Sequence, residues 1–185
     1  MTSADSRPLV VLVGPPGAGK STVGSALAKR LAAPYQDLDE HIVAAAGSSI
    51  PQIFESHGEP HFRQLEAEAL VLALTANGGV LALGGGAPIP ERNRAALAEY
   101  AERGGTIVFL DLNVDVAVKR LGSSNTNRPL LAGDTRARFR ALAEERRSAY
   151  ESVATVTIDT SRLTPHQIAE RIAQHVAARE SDSRS

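Results

Sequence analysis

A chain of 185 residues has room for one domain around one sizeable core and too little for two. With a formal net charge of -1, 43% hydrophobic and 22% charged residues, it has neither the composition of a disordered chain nor the basic excess of a polyanion-binding surface, so nucleic acid is not an expected partner. The absence of cysteine excludes disulfides and thiolate metal sites, and the apolar stretch Leu9 to Val13 is too short for a signal-peptide core or a membrane span; a cytoplasmic protein without membrane contact is expected.

In chain order, apolar runs alternate with segments of helical spacing. The first strand is expected at Leu9 to Val13 ("LVVLV"), followed by "GPPGAGKST" and a helix from Lys20 to Leu31 with Val23, Leu27 and Leu31 on one face. A short second strand is expected at Pro34 to Asp37, Pro51 fits the first turn of a helix, and Phe62 to Leu74 forms another with Phe62, Leu65, Ala69 and Leu72 on one side. Further strands are expected at Val80 to Leu83, Thr106 to Leu112 and Val153 to Ile158, and Thr164-Pro165 reads as a cap with proline at the first helical position. Nearly continuous apolar strands alternating with helices predict an α/β three-layer sandwich, a five-stranded parallel sheet covered on both faces. The whole chain, 1-185, reads as one domain with a core at about 8-178 and frayed ends at 1-6 and 179-185.

The segment Gly14 to Thr22 satisfies G-x-x-x-x-G-K-[ST] in the context it needs, strand before and helix after. Its backbone N–H groups can curl round phosphate oxygens, the helix N-terminus adds partial positive charge, Lys20 reaches the terminal phosphates and Ser21 ligates Mg²⁺. A GTPase switch is disfavoured because no N-K-x-D segment occurs, and a compact chain with this loop is most naturally a small kinase with a mobile lid.

Two carboxylates, Asp37 and Asp39 in "DLDEHI", are placed by strand periodicity on one side, where one can support Mg²⁺ and the other can accept from an attacking hydroxyl. Asp39 serves equally well as a helix N-cap. Asp111, which ends "TIVFLD", is a rival for the metal acid or a cap for a helix near Val114. Arg63, Arg128, Arg146 and Arg147 have the planar fork that suits carboxylate or phosphate, although most surface arginines are merely solvated. The long polar loop from Gly122 to Asp134, with Arg128 inside it, has the make-up of a lid. After the Val80 strand come three consecutive glycines, Gly84 to Gly86, which serve either positive φ or a close approach.

Taken in order, "GPPGAGKSTVG", "DLD", the set Ile53, Phe54, Gly58, Glu59, Phe62, Arg63 and Glu66, then "GGG" and "RPLL" resemble the shikimate kinases over about Leu9 to Ala178. The resemblance implies transfer of the γ-phosphoryl of ATP to the 3-hydroxyl of shikimate by a monomer, in the route to chorismate and the aromatic amino acids. It further implies ATP contacts at Gly17, Ala18, Gly19, Lys20, Ser21, Thr22, Arg120 and Arg128, with Lys20, Arg128 and Asp39 catalytic. Shikimate would meet Asp39, Arg63, Arg146, Phe54, Phe62 and Gly84 to Gly86, with the ring against Gly85 and its N–H as donor; Mg²⁺ would sit at Ser21 and, through water, at Asp37. Family spacing favours Arg146, four residues before Tyr150, over Arg147, and Leu163 stands where part of the family has a second basic residue beside Arg162. A gluconate kinase-like enzyme and a nucleotide-dependent regulator without transfer activity are the alternatives.

Overall fold

The computed structural model describes residues 7-76, 78-112, 116 and 134-182. Five strands, β1 (Val10–Val13), β2 (Tyr35–Asp37), β3 (Val80–Ala82), β4 (Ile107–Asp111) and β5 (Val156–Asp159), form one all-parallel sheet in the order β2-β3-β1-β4-β5. Around it lie α1 (Lys20–Arg30), α2 (Leu38–Ala46), α3 (Ile50–Ala76), α4 (Glu91–Glu102), α5 (Asp134–Val153) and α6 (Pro165–Asp182).

Strand alternation sorts the core into two layers. Val11, Val13, Leu81, Leu83, Ile107 and Phe109 face the side covered by α2, α3, α4 and α5, where Leu38, Ile42, Phe62, Leu70, Leu97 and Tyr150 are buried. Val10, Leu12, Val80, Val108 and Leu110 face the other side, against Val23 and Leu27 of α1 and Ile168, Ile172 and Val176 of α6. Both faces are covered, which is why the strands read as unbroken apolar runs.

Five sequence expectations need correction. Asp37 ends β2 and α2 starts at the next residue, so Asp37 and Asp39 are not two strand positions; Asp37 is the N-cap and Asp39 lies in the first helical turn. The segment around Phe62 belongs to a longer helix from Ile50 that is broken at Gly58, where φ is 77°. Leu72 lies on its exposed side at 62% exposure, and the buried stripe runs instead through Phe62, Glu66, Ala69, Leu70 and Ala73. Val153 is the last residue of α5, and β5 starts at Val156. At the C-terminal end α6 continues to Asp182, with Arg179 reaching the Gly105 carbonyl and the Thr106 hydroxyl.

Candidate active site

The turn between β1 and α1 is built to present backbone. Gly17 and Gly19 hold φ of 81° and 86°, and Gly14 lies so close to β4 that a Cβ would stand 2.8 Å from the Leu110 carbonyl oxygen. Ala18 is buried and donates its N–H to the Pro15 carbonyl, while Ser21 and Thr22 are exposed at the start of the helix. The α1 N-terminus has no side-chain cap and no acidic residue in its first turn, so its partial positive charge is left for an anion. Lys20 folds back over the loop, Nζ donating to the carbonyls of Gly14 at 2.7 Å and Pro15 at 3.0 Å. Burial lowers its pKa from 10.5 to about 8, against the opposing pull of Asp39 and Asp37.

Beside this loop, Asp37 is held at both oxygens. Oδ1 accepts from the Asp39 backbone N–H at 3.0 Å, and Oδ2 accepts from the Ser21 hydroxyl at 3.2 Å and the Tyr35 hydroxyl at 3.3 Å. Burial, with the neighbouring carboxylate, pushes the Tyr35 phenol up to about 12, so it stays a donor. Asp39 has no such anchoring among the described hydrogen bonds. Its carboxyl is shifted upward by burial and by Asp37, with Lys20 and Arg63 opposing. The Ser21 hydroxyl and the Asp37 carboxylate form a two-oxygen donor set, and no cluster of three His, Cys, Asp or Glu capable of holding a metal occurs among the described residues. That set fits Mg²⁺, which keeps most of its shell as water and phosphate oxygen, and does not fit an ion that needs an all-protein cage.

Arg63 enters from α3, one turn past the Gly58 break. Its Nη1 donates to Glu66 at 2.9 Å, and its Nη2 and Nε donate to Glu59 at 3.1 and 3.2 Å. The guanidinium lies 5.4 Å from the Phe62 ring centre; that ring is buried in the core and stacks with the partly exposed Phe54 at 4.8 Å. Glu66, only 1% exposed, is shifted upward by burial, with Arg63 as its main counterweight and Arg146 nearby.

The three glycines close the arrangement. None has positive φ, so close approach is their only demand. A Cβ at Gly84 would stand 2.6 Å from Asp39 Oδ1, one at Gly86 2.7 Å from Arg63 Nη1, and one at Gly85 3.0 Å from Pro16 Cδ of the phosphate loop. A side chain at Gly85 would therefore meet the loop first. The turn is locked from behind: the buried Tyr150 hydroxyl donates to the Gly85 carbonyl at 2.6 Å, and the buried Asn93 amide donates to the Ala87 carbonyl at 2.8 Å.

Of the adjacent arginines, Arg146 is the one whose charge acts on Tyr150 and on Glu66, on the glycine side. Arg147 turns away and grips Asp111 with two bonds of 2.8 and 2.7 Å. Leu163 packs into the core rather than replacing a basic residue, and Arg162 lines a cleft with Asp159. Arg120, Arg128 and nearly all of the expected lid lie outside the described residues. Sequence reasoning missed Tyr150, Asn93 and Tyr35 as supports. For Asn93 and Tyr150 the signal available was a polar group at a helix position otherwise patterned as apolar; Tyr35, in β2, gave none.

A parallel sheet with a phosphate-cradling turn after its central strand, a carboxylate pair beside it and an arginine over a bare glycine wall defines a P-loop small-molecule kinase. The family model described as shikimate kinase matches residues 16–177. A shikimate kinase from Thermobifida fusca is 48% identical over 94% of this chain and 97% of its own, and one from Streptomyces coelicolor is 48% identical over 95% and 99%. Among solved structures, shikimate kinase from Acinetobacter baumannii in complex with shikimate matches with a TM-score of 0.82 at 35% identity, covering 95% of each chain. A gluconokinase from Sinorhizobium meliloti, at 20% identity, TM-score 0.61 and coverage of 94% of this chain and 93% of its own, shares the fold alone. The chain belongs to the shikimate kinase family.

Proposed function

We propose that the chain transfers the γ-phosphoryl group of ATP to the 3-hydroxyl of shikimate, giving shikimate 3-phosphate and ADP for chorismate and aromatic amino-acid synthesis. The observation that supports it best is the glycine wall beside the phosphate loop, bare because a Cβ would stand 2.6 Å from Asp39 at Gly84 and 2.7 Å from Arg63 at Gly86. It gives a hydroxylated ring bearing a carboxylate a flat surface, a hydroxyl acceptor and a cation at once.

In this reading Lys20 leaves its loop carbonyls for the terminal phosphates of ATP, and Gly17, Ala18, Gly19, Ser21 and Thr22 present N–H and hydroxyl groups to the polyphosphate. Arg63 and Arg146 hold the shikimate carboxylate, with Phe54 and Phe62 bordering that side. Asp39 accepts the hydrogen bond of the 3-hydroxyl and orients it for in-line attack; the new O–P bond forms as the bond from the γ-phosphorus to the bridging oxygen breaks, and the hydroxyl proton leaves through Asp39. Ser21, and Asp37 through water, would hold Mg²⁺, which supplies charge neutralisation to the β- and γ-phosphate oxygens. Arg128 and Arg120 keep, by motif, their roles at the phosphates and beside the adenine. The working unit is a cytoplasmic monomer.

Release of ADP from ATP and Mg²⁺, followed with shikimate, with gluconate and with no acceptor, tests the proposal. Strong dependence on shikimate alone is expected; equal release with gluconate, or without any acceptor, would overturn it.

A further inference from the structure

Along the same edge of the sheet, on the β4 and β5 side of the phosphate loop, stand charges that the acceptor site does not use. A cleft of about 470 Å³ opens at the C-terminal ends of β4 and β5, lined by Asp111, Val116, Arg147, Asp159, Ser161 and Arg162. Asp111 and Asp159 are partners in the parallel register, so two carboxylates stand on adjacent strands at one opening. Asp159 accepts from the Ser161 N–H at 2.9 Å and feels the nearby Arg162. Asp111 is covered by the two-pronged contact from Arg147, whose Nε is also held by Glu151 at 2.8 Å and whose guanidinium lies 5.7 Å from the Phe109 ring centre.

Sheet order says what passes over this opening. The phosphate loop follows β1, the acceptor residues cluster on its β2 and β3 side, and the cleft lies on its β4 and β5 side. A nucleotide whose terminal phosphate points at Lys20 and Asp39 therefore extends the rest of its length toward Asp111 and Asp159. Two bare carboxylates in the lining would repel that polyanion, whereas Arg147 and Arg162 offset Asp111 and Asp159; Glu151, the second partner of Arg147, is half-exposed and stands outside the lining, where water screens it. We propose that Arg147 is a positioning residue for nucleotide binding, which acts by neutralising Asp111 and so lets the cleft accept the negatively charged ATP. The proposal rests on the kinase reading of the site.

The variants Arg147→Ala, Asp111→Asn and their combination separate this role from a merely structural ion pair. Arg147→Ala should raise the KM for ATP by about three- to tenfold, more at low ionic strength, with the KM for shikimate moving much less. In the double variant the carboxylate that needs cover is gone, and the KM for ATP should return to within about twofold of the parent. An unchanged KM for ATP in Arg147→Ala, an equal rise for both substrates, or a double variant as impaired as the single one would overturn the proposal. Calorimetric titration of the same four proteins with ATP, without acceptor, reads the charge effect even if shikimate proves not to be phosphorylated. Failure of the kinase reading and failure of the Arg147 proposal are thus distinguishable.

Discussion

Replacing Gly86 by alanine demands a definite displacement in the acceptor site. The new Cβ would stand 2.7 Å from Arg63 Nη1 and 3.0 Å from Nη2, whereas ordinary contact begins at 3.4 Å, so the guanidinium must retreat by roughly 0.7 Å, the difference between 3.4 and 2.7. A free arginine would swing aside at little cost. This one is tied to Glu66 at 2.9 Å and to Glu59 at 3.1 and 3.2 Å, and it rests on the Phe62 ring, so the shift breaks or stretches at least one charge-assisted hydrogen bond. Such a bond is worth about 1.5-3 kcal/mol, which at 1.4 kcal/mol per decade corresponds to a rise of about 10- to 100-fold in the KM for shikimate. The KM for ATP should stay near that of the parent. Gly85→Ala is the contrast: its Cβ meets Pro16 Cδ at 3.0 Å and Cγ at 3.2 Å, so its effect should fall mainly on ATP. Two-substrate initial rates measure both constants, and thermal unfolding verifies that each variant is folded. A folded Gly86→Ala protein with its KM for shikimate within twofold of the parent, or a larger shikimate effect at Gly85 than at Gly86, would refute the reasoning.

Asp39→Asn should lower kcat by about a hundredfold or more while ATP binding changes little, as measured by turnover and by titration with ATP. Because burial and the Asp37 charge shift Asp39 upward, its carboxylate is lost early on acidification; kcat should fall on an acid limb lying above the ordinary 3.8, and a limb at or below 3.8 would contradict the assignment. Lys20 works in the opposite pH range. With a folded pKa of about 8 against 10.5 unfolded, the folded protein binds fewer protons than the unfolded chain between those values, so this group's contribution to stability rises with pH across that window. Unliganded protein should therefore gain about 2 kcal/mol over Lys20→Met between pH 7.5 and 9.5 in denaturant unfolding, and an identical pH response in the two proteins would remove the burial argument. Glu66→Ala leaves Arg63, itself 25% exposed, short of its buried partner; a cost of about 2-4 kcal/mol and a Tm drop of about 5-12 °C is expected. Glu66→Gln keeps the shape and removes only the charge; it should lose part of this, equal losses in the two variants would place the whole cost in the charge, and a Gln variant as stable as the parent would place it in packing.

The phosphate loop and the two-faced sheet were legible because their causes are local. A glycine-rich turn with lysine and serine after an apolar strand needs no distant residue to make sense, and strands buried on both faces announce themselves as unbroken Val and Leu runs. Reading the helix ends was harder where two local preferences compete: Asp37 and Asp39 both suit a cap, and the register of β2 against β3 decides that Asp37 takes it. Motif order likewise pointed to the family and to Asp39 and Arg63. What the linear chain by itself determined was which chemical groups are present and which backbone turns can form. Tertiary structure alone decided what each group faces. Gly84 lies against Asp39, Gly85 against Pro16 and Gly86 against Arg63, although the three are identical in the sequence. Arg146 and Arg147, neighbours in the chain, serve different sides of the site because successive side chains on a helix diverge by about 100°, so one acts on Tyr150 and Glu66 and the other grips Asp111. Arg147 with Asp111 and Tyr150 with Gly85 come from elements far apart in the chain, and only packing brings them within a hydrogen bond of each other.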